Sequence, residues 1–222
     1  MQSIDRLLAL TRDKQPWALA RFNDGEMTAI AKREGKISRG LQKVTPGLAD
    51  ALAVALSYRQ SNYWIGLPCG VCWKKHRAAA IRLCSPALWD YTTLAVVLTN
   101  RNHQRWQEEF PDALGDREVH WIGPRSQDLK KLPFKAKHYL VTGSINAFEV
   151  YDAIDEDWKD LPLGAVVMTS CGPLGRIIAH RWYDARPDLT IIDVGSIYDP
   201  LTWGTKTARI HKGTLPRCKG CN

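Results

Sequence analysis

The sequence has no uninterrupted apolar run approaching the roughly 18 residues that suggest a membrane span. Its richest stretch, Leu94 to Leu98, follows the charged Asp90. The opening segment MQSIDRLLALTRDKQPW carries acids and a helical pattern, where a secretion signal needs a basic start and an apolar block. These absences predict a chain that stays in the compartment where it is made, the cytoplasm. There is no internal repeat, low-complexity tract or linker. Neither G-x-G-x-x-G nor the Walker A pattern occurs, so nicotinamide and ATP chemistry have no motif support.

What is present is ordinary globular material. Of 222 residues, 45% are apolar and 24% charged, which argues against disorder. A chain this long buries roughly 70% of its unfolded surface, so its core needs no staples. Thirty-one Lys and Arg against 23 Asp and Glu leave a net charge of +8. The excess gathers at Lys32 to Lys43, Lys74 to Arg82, Lys130 to Lys137, and Lys206 to Lys219. Such patches suit polyanionic partners or phosphorylated substrates. Each can equally be a solvated basic face.

Four of the six cysteines form two C-x-x-C pairs, Cys69 with Cys72 and Cys218 with Cys221. Without a secretion signal a disulfide framework is the weaker reading. Two such knuckles supply the four thiolates of a structural Zn²⁺ site, provided the tail folds back across the domain. His76 is an alternative ligand. Reduced, unrelated thiols and a redox C-x-x-C are the competing readings.

Apolar periodicity alternates between strand and helix. Strands are expected at Trp17 to Phe22, Tyr63 to Leu67, Val119 to Ile122, His138 to Thr142, Ala165 to Thr169 and Leu189 to Val194. Helices are expected near Ile4 to Leu10, through Met27 to Ala31, and at Gly47 to Tyr58, Lys74 to Leu83, Pro86 to Leu98, His103 to Phe110 and Leu174 to Tyr183. This order means βαβ crossovers: an α/β, Rossmann-like, mostly parallel sheet with helices on both faces. The expected organisation is one domain over residues 1–205. A basic tail, 206–222, folds back and is pinned by the cysteine zinc site.

Ligands of such sheets bind beyond the carboxyl ends of the strands. Four polar loops belong there: RFNDGE, TGSINAF, TSCGPLG and DVGSIYDP. The third has a strand–glycine–helix plan that can hold a phosphate on backbone N–H groups, or can be a plain tight turn. In RFNDGE, Asp24 and Glu26 flank a glycine. Converging carboxylates of this kind suit Mg²⁺ or Mn²⁺, and Arg21 can add a fork of donors to the same anion. Alternatively, Asp24 and Glu26 simply cap and decorate a helix start.

The pattern Arg21-Phe22-x-Asp24-Gly25-Glu26 resembles the signature loop of the GT-D glycosyltransferase superfamily, with its D-x-E motif. Thr99-Asn100, Ile122-Gly123-Pro124, Ser144-Ile145-Asn146-Ala147-Phe148 with Tyr151-Asp152, Gly172-Pro173, and Ile192-Asp193-Val194-Gly195 are similar to its later blocks, in order, from residue 17 to about 212. Asn23 departs from the glycine expected there, and Cys171 stands where the family tends to be aliphatic.

The resemblance implies glycosyl transfer from a nucleotide-diphosphate sugar, such as a UDP-sugar, to an acceptor hydroxyl. It implies a catalytic metal on Asp24 and Glu26. It places the nucleotide near Arg21, Asn23, Asn146 and the Gly172 turn, with Ser144 and Ser170 as donors. His211, between the basic tail and the second C-x-x-C, can reach the diphosphate or belong to a solvated tail. Asp193 and Asp199 are the candidates for a general base; both also suit turn roles. The basic charge makes DNA a candidate acceptor, through a hydroxymethylated pyrimidine, with a surface glycan or glycoprotein as the alternative. A zinc-stabilised nucleic-acid-binding module without catalysis is the competing function class.

Overall fold

The computed structural model describes residues 4–37, 41–84, 91–98 and 102–204. Cys218, Cys221, His211, the basic tail and the Thr99-Asn100 block lie outside them. Seven parallel strands form the central sheet: β1 (Ala18–Arg21), β4 (Tyr63–Leu67), β5 (Thr92–Leu94), β6 (Val119–Pro124), β7 (Ala136–Thr142), β8 (Val166–Thr169) and β9 (Thr190–Asp193). Their order is β5-β4-β1-β9-β8-β6-β7. The chain starts near the middle, steps outward through β4 and β5, crosses to the far half, and returns through β8 to place β9 beside β1. Val and Ile fill half of β8 and β9, and every residue of both is buried, as suits strands covered on both faces.

One face is covered by α2 (Asp24–Lys32), α3 (Pro46–Ser57), α4 (Lys74–Leu83), α6 (Tyr151–Ile154) and α7 (Leu174–Ala185). The other face is covered by α1 (Ile4–Arg12) and α5 (His103–Leu114). Alternation along the strands feeds the two cores. Ala18 and Ala20 join the first, whereas Trp17 and Leu19 join the second with Trp64, Trp106 and Trp121. Most of the tryptophans thus serve the core, each burying a large apolar surface. In α1, Ile4, Leu7, Leu8 and Thr11 lie on the buried stripe, and the Thr11 hydroxyl accepts from Trp17 Nε1 at 3.1 Å. Helix α3 starts at a Thr45 cap, whose hydroxyl accepts from Leu48 N–H at 3.2 Å, with Pro46 following.

Two expectations need correction. In the described part of the helix expected from Pro86 to Leu98, residues 92–94 are instead strand β5, in register with Ile65, Gly66 and Leu67 of β4. The β-branched pair Thr92-Thr93 fits a pleated, half-covered surface better than a helix. The second is an addition. Between α2 and α3 the chain forms an antiparallel hairpin, β2 (Gly35–Ile37) with β3 (Gln42–Val44). Ile37 and Val44 anchor it to the first core. Among the described residues, no helix is long and apolar enough to cross a membrane.

Candidate active site

The carboxyl ends of β6 to β9 open onto a cavity of about 240 Å³. Pro124, Ser144, Ser170 to Gly172, and Gly195, Ser196 and Asp199 reach it from the sheet loops. Leu41 and Gln42 of the hairpin, Glu26 at the start of α2, Arg176 in α7 and Trp203 complete the lining. A larger cleft of about 470 Å³ lies at the amino ends of β6 to β8, around His120 and Lys137. The carboxyl edge is where parallel α/β sheets bind ligands, and the chemistry-bearing loops gather there.

The hairpin is fastened to the loop after β7. Gln42 Oε1 accepts from Ala147 N–H at 2.9 Å, and Asn146 Oδ1 accepts from Lys43 N–H at 2.8 Å. Asn146 therefore works as a clasp in the left-handed region (φ 50°) and does not line the cavity. Ser144 does. The Ser170 hydroxyl also lines it, already donating to Gly195 O at 2.8 Å and accepting from Gln127 Nε2 at 2.9 Å. Gly172 (φ 62°) makes the sharp turn into α7.

Beneath the cavity lies a buried cluster of charges. Arg21 donates from Nε and Nη2 to the two carboxylate oxygens of Asp193, at 3.4 Å each. Its Nη1 donates to Ala95 O, also at 3.4 Å. Arg176 Nε lies 3.2 Å from Asp193 Oδ2, and its Nη2 lies 3.3 Å from Glu26 Oε1. The same guanidinium donates to Arg21 O at 2.7 Å and Gly172 O at 2.5 Å. Burial works against the Arg176 charge, but Asp193 and Glu26 outweigh it, and its pKa is raised. Breaking such a buried pair from one side costs about 3–5 kcal/mol. Gly175 lets α7 pack closely: a Cβ there would sit 2.5 Å from Thr169 Oγ1.

This arrangement revises several sequence expectations. Arg21 is committed to Asp193 and does not line the cavity; Arg176 takes the place proposed for it. Asp193 is 1% exposed and holds two guanidinium groups, which leaves it poorly placed to take a proton from an acceptor. Asp199, just beyond β9, lines the cavity, and burial pushes its carboxyl up to about 6. Asp24 and Glu26 do not converge in a turn. They occupy the first turn of α2, two residues apart, and face different sides of the helix. Glu26 Oε2 accepts from Asn23 N–H at 3.0 Å, a capping role. Asn23 Oδ1 is buried without a hydrogen-bond partner.

Of the four cysteines in the two C-x-x-C pairs, Cys69 and Cys72 are among the described residues. Cys69 is buried after β4, whereas Cys72 is exposed in the turn before α4. His76 Nε2 lies 3.5 Å from Thr28 Oγ1 on α2. Among the described residues, no three His, Cys, Asp or Glu side chains gather to hold a metal ion. Burial pushes the Cys171 thiol up, so it remains protonated beside the cavity. Arg176 carried no motif in the sequence; its only signal was a basic residue four places after Gly172 at the head of a helix.

No protein-family model matches the chain, and no curated protein matches it. Its fold, however, has solved counterparts. A structure described as a new glycosyltransferase (DUF1792) from Streptococcus sanguinis matches with a TM-score of 0.66 at 17% identity, covering 90% of this chain and 83% of that one. A selenomethionine-substituted domain of unknown function 1792 matches with a TM-score of 0.67 at 17% identity, over 100% of this chain and 89% of its own. A third, described as the highly conserved domain of unknown function 1792 with a distinct glycosyltransferase fold, gives 0.65 at 18% identity, over 90% and 80%. The chain thus shares the fold of these DUF1792 structures, the kind of fold that the resemblance of the RFNDGE loop led one to expect.

Proposed function

We propose that the chain transfers a sugar from a nucleotide-diphosphate sugar, a UDP-sugar by preference, to an acceptor hydroxyl on a hydroxymethylated pyrimidine of DNA. The observation that carries the transfer reading is the carboxyl-edge cavity, with a buried arginine on its floor and a raised carboxyl on its wall, in a fold shared with DUF1792 glycosyltransferases. The net charge of +8 supports the DNA acceptor.

In the transfer, the acceptor oxygen attacks the anomeric carbon and the bond from that carbon to the diphosphate breaks. The bonding pair leaves on the diphosphate oxygen. The Arg176 guanidinium and the N–H groups where the Gly172 turn enters α7 receive that charge. Asp199 takes the acceptor proton; a carboxyl near 6 is ionised at neutral pH and still a useful base. Gln127, through Ser170, holds the Gly195 loop that leads to Asp199.

A divalent cation suits this site. Glu26, which lines the cavity, offers hard carboxylate oxygens, whereas Asp24 does not line it; Mg²⁺ takes as few as one carboxylate, with phosphates and water supplying the rest. When bound, the ion would neutralise charge on the leaving diphosphate. Arg21 and Arg176 already balance Glu26 and Asp193 in formal charge, so an arriving diphosphate brings an excess that the protein's own cation cluster does not cover.

The test is release of nucleotide diphosphate from a panel of UDP- and other activated sugars, with Mn²⁺ and in chelator, with hydroxymethylated duplex DNA as acceptor. Metal-dependent release and a sugar-bearing nucleoside after digestion are expected. No turnover and no donor binding for any sugar would leave only a nucleic-acid-binding role.

A further inference from the structure

We propose that Leu41 and Trp203 form a clamp for a flipped-out pyrimidine base of DNA, holding its hydroxymethyl group against Asp199. The inference rests on the glycosyltransferase reading and deepens it by assigning the acceptor's seat. Leu41 and Trp203 line the same cavity, yet they are 47% and 40% exposed, unlike the buried tryptophans of the cores. They arrive from opposite faces of the sheet. Leu41 belongs to the hairpin anchored in the first core through Ile37 and Val44. Trp203 ends the short helix α8 (Asp199–Thr202), which sits on the second core through Tyr198 and Leu201. An aromatic face and an aliphatic side chain at one mouth fit a flat ring, and flipped bases are held by stacking of this kind.

Charge selects nucleic acid among ring-bearing acceptors. Lys36 and Lys43 flank Leu41 on the hairpin, both exposed and without an ion pair among the described residues. On the other flank, the turn carrying exposed Lys130 is bonded to α8, with Asp128 N–H donating to Thr202 O at 2.9 Å. Cations therefore stand on both sides of the mouth, where the backbone of a duplex would pass on either side of an extruded base. A neutral saccharide has no use for that placement.

The full chain is tested with hydroxymethylated duplex DNA carrying 2-aminopurine opposite the target base. Wild-type protein should raise the 2-aminopurine fluorescence as the base leaves the stack. Trp203→Ala should abolish that rise and increase the KM for DNA roughly tenfold or more. UDP affinity by calorimetry should stay within about twofold, and Trp203→Phe should restore most of the loss. Lys36→Glu with Lys43→Glu should lower the slope of log affinity against log salt by about one per lost phosphate contact. An unchanged KM and fluorescence in Trp203→Ala would overturn the clamp, as would modification of a saccharide but not of DNA by the wild type. Absence of donor turnover in the wild type with any acceptor, water included, would instead remove the transferase reading beneath it.

Discussion

Replacing Asp199 with Asn should stabilise the protein at alkaline pH while disabling it. Burial alone raises the Asp199 carboxyl from 3.8 to about 6, with no cation to offset it. An acid held above its unfolded value binds its proton more tightly in the native state. The stability it contributes is full below pH 3.8 and is lost as pH rises through 6. At about 1.4 kcal/mol per tenfold in proton affinity, ionised Asp199 costs up to about 3 kcal/mol at pH 8. Asparagine keeps the shape and never ionises. The variant should match wild type in melting near pH 4 and exceed it at pH 8 by several degrees, up to about 10 °C at 2–4 °C per kcal/mol. Its kcat/KM should fall by about 10²- to 10⁴-fold, the usual worth of a general base. Wild-type kcat/KM should show an acid limb with an apparent pKa near 6 that is missing from the variant. Scanning calorimetry at the two pH values, beside a pH–rate profile of nucleotide release, reads both sides. Undiminished turnover in Asp199→Asn would refute the base, and equal destabilisation at pH 4 and pH 8 would refute the strain.

The other predictions address separate parts of the molecule. Glu26→Gln should remove Mn²⁺-stimulated turnover and lower the melting temperature, whereas Asp24→Asn, outside the cavity lining, should leave that turnover in place; wild-type rates in Glu26→Gln, or equal rates in chelator, would end the metal proposal. Gly195→Ala should cost about 1–3 kcal/mol, because φ is 53° and the added Cβ would collide with Arg21 Nη2; an unchanged melting temperature would show that the loop relaxes freely. Cys69, Cys72, Cys218 and Cys221 should hold one zinc in protein purified without added metal, and Cys218→Ser should release it; elemental analysis well below one zinc per chain counts against the site.

Much of the sheet was legible because strands buried on both faces read as short apolar runs bounded by turn residues. Five buried strands stood out in this way, from Trp17-Ala18-Leu19-Ala20 to Ile191-Ile192, and the half-exposed edge strand β7 was marked by Tyr139-Leu140-Val141. Strand β5 did not, since Thr92-Thr93-Leu94 is too short to show a period and follows residues with helical spacing. The hairpin was hidden for a different reason. Only Ile37, Gln42 and Val44 turn inward, and its polar sequence reads as a basic loop. Its importance comes from Gln42 and Asn146, about a hundred residues apart, which bind it to the sheet's edge.

The site shows why spacing in sequence names residues more easily than roles. RFNDGE drew attention to Arg21, Asp24 and Glu26, and the chain does bring that segment to the cavity. Yet the last strand enters the sheet beside the first, and that topology decides what Arg21 does. Ala18 and Leu19 pair with Ile191 and Ile192, which sets Asp193 at the end of its strand against Arg21. Helix α7 packs over β1 and aims Arg176 at the same carboxylate and at Glu26. Two arginines thus compete for one aspartate, and the one from the later helix is left with a face toward the cavity. No local pattern could rank them, because the ranking depends on a strand pairing across about 170 residues. It follows that Arg176→Lys should be harmful even though the charge survives. A point charge cannot bridge Asp193, Glu26, Arg21 O and Gly172 O as the planar fork does. If Arg176→Lys keeps wild-type stability and nucleotide release, the fork is not what organises this site.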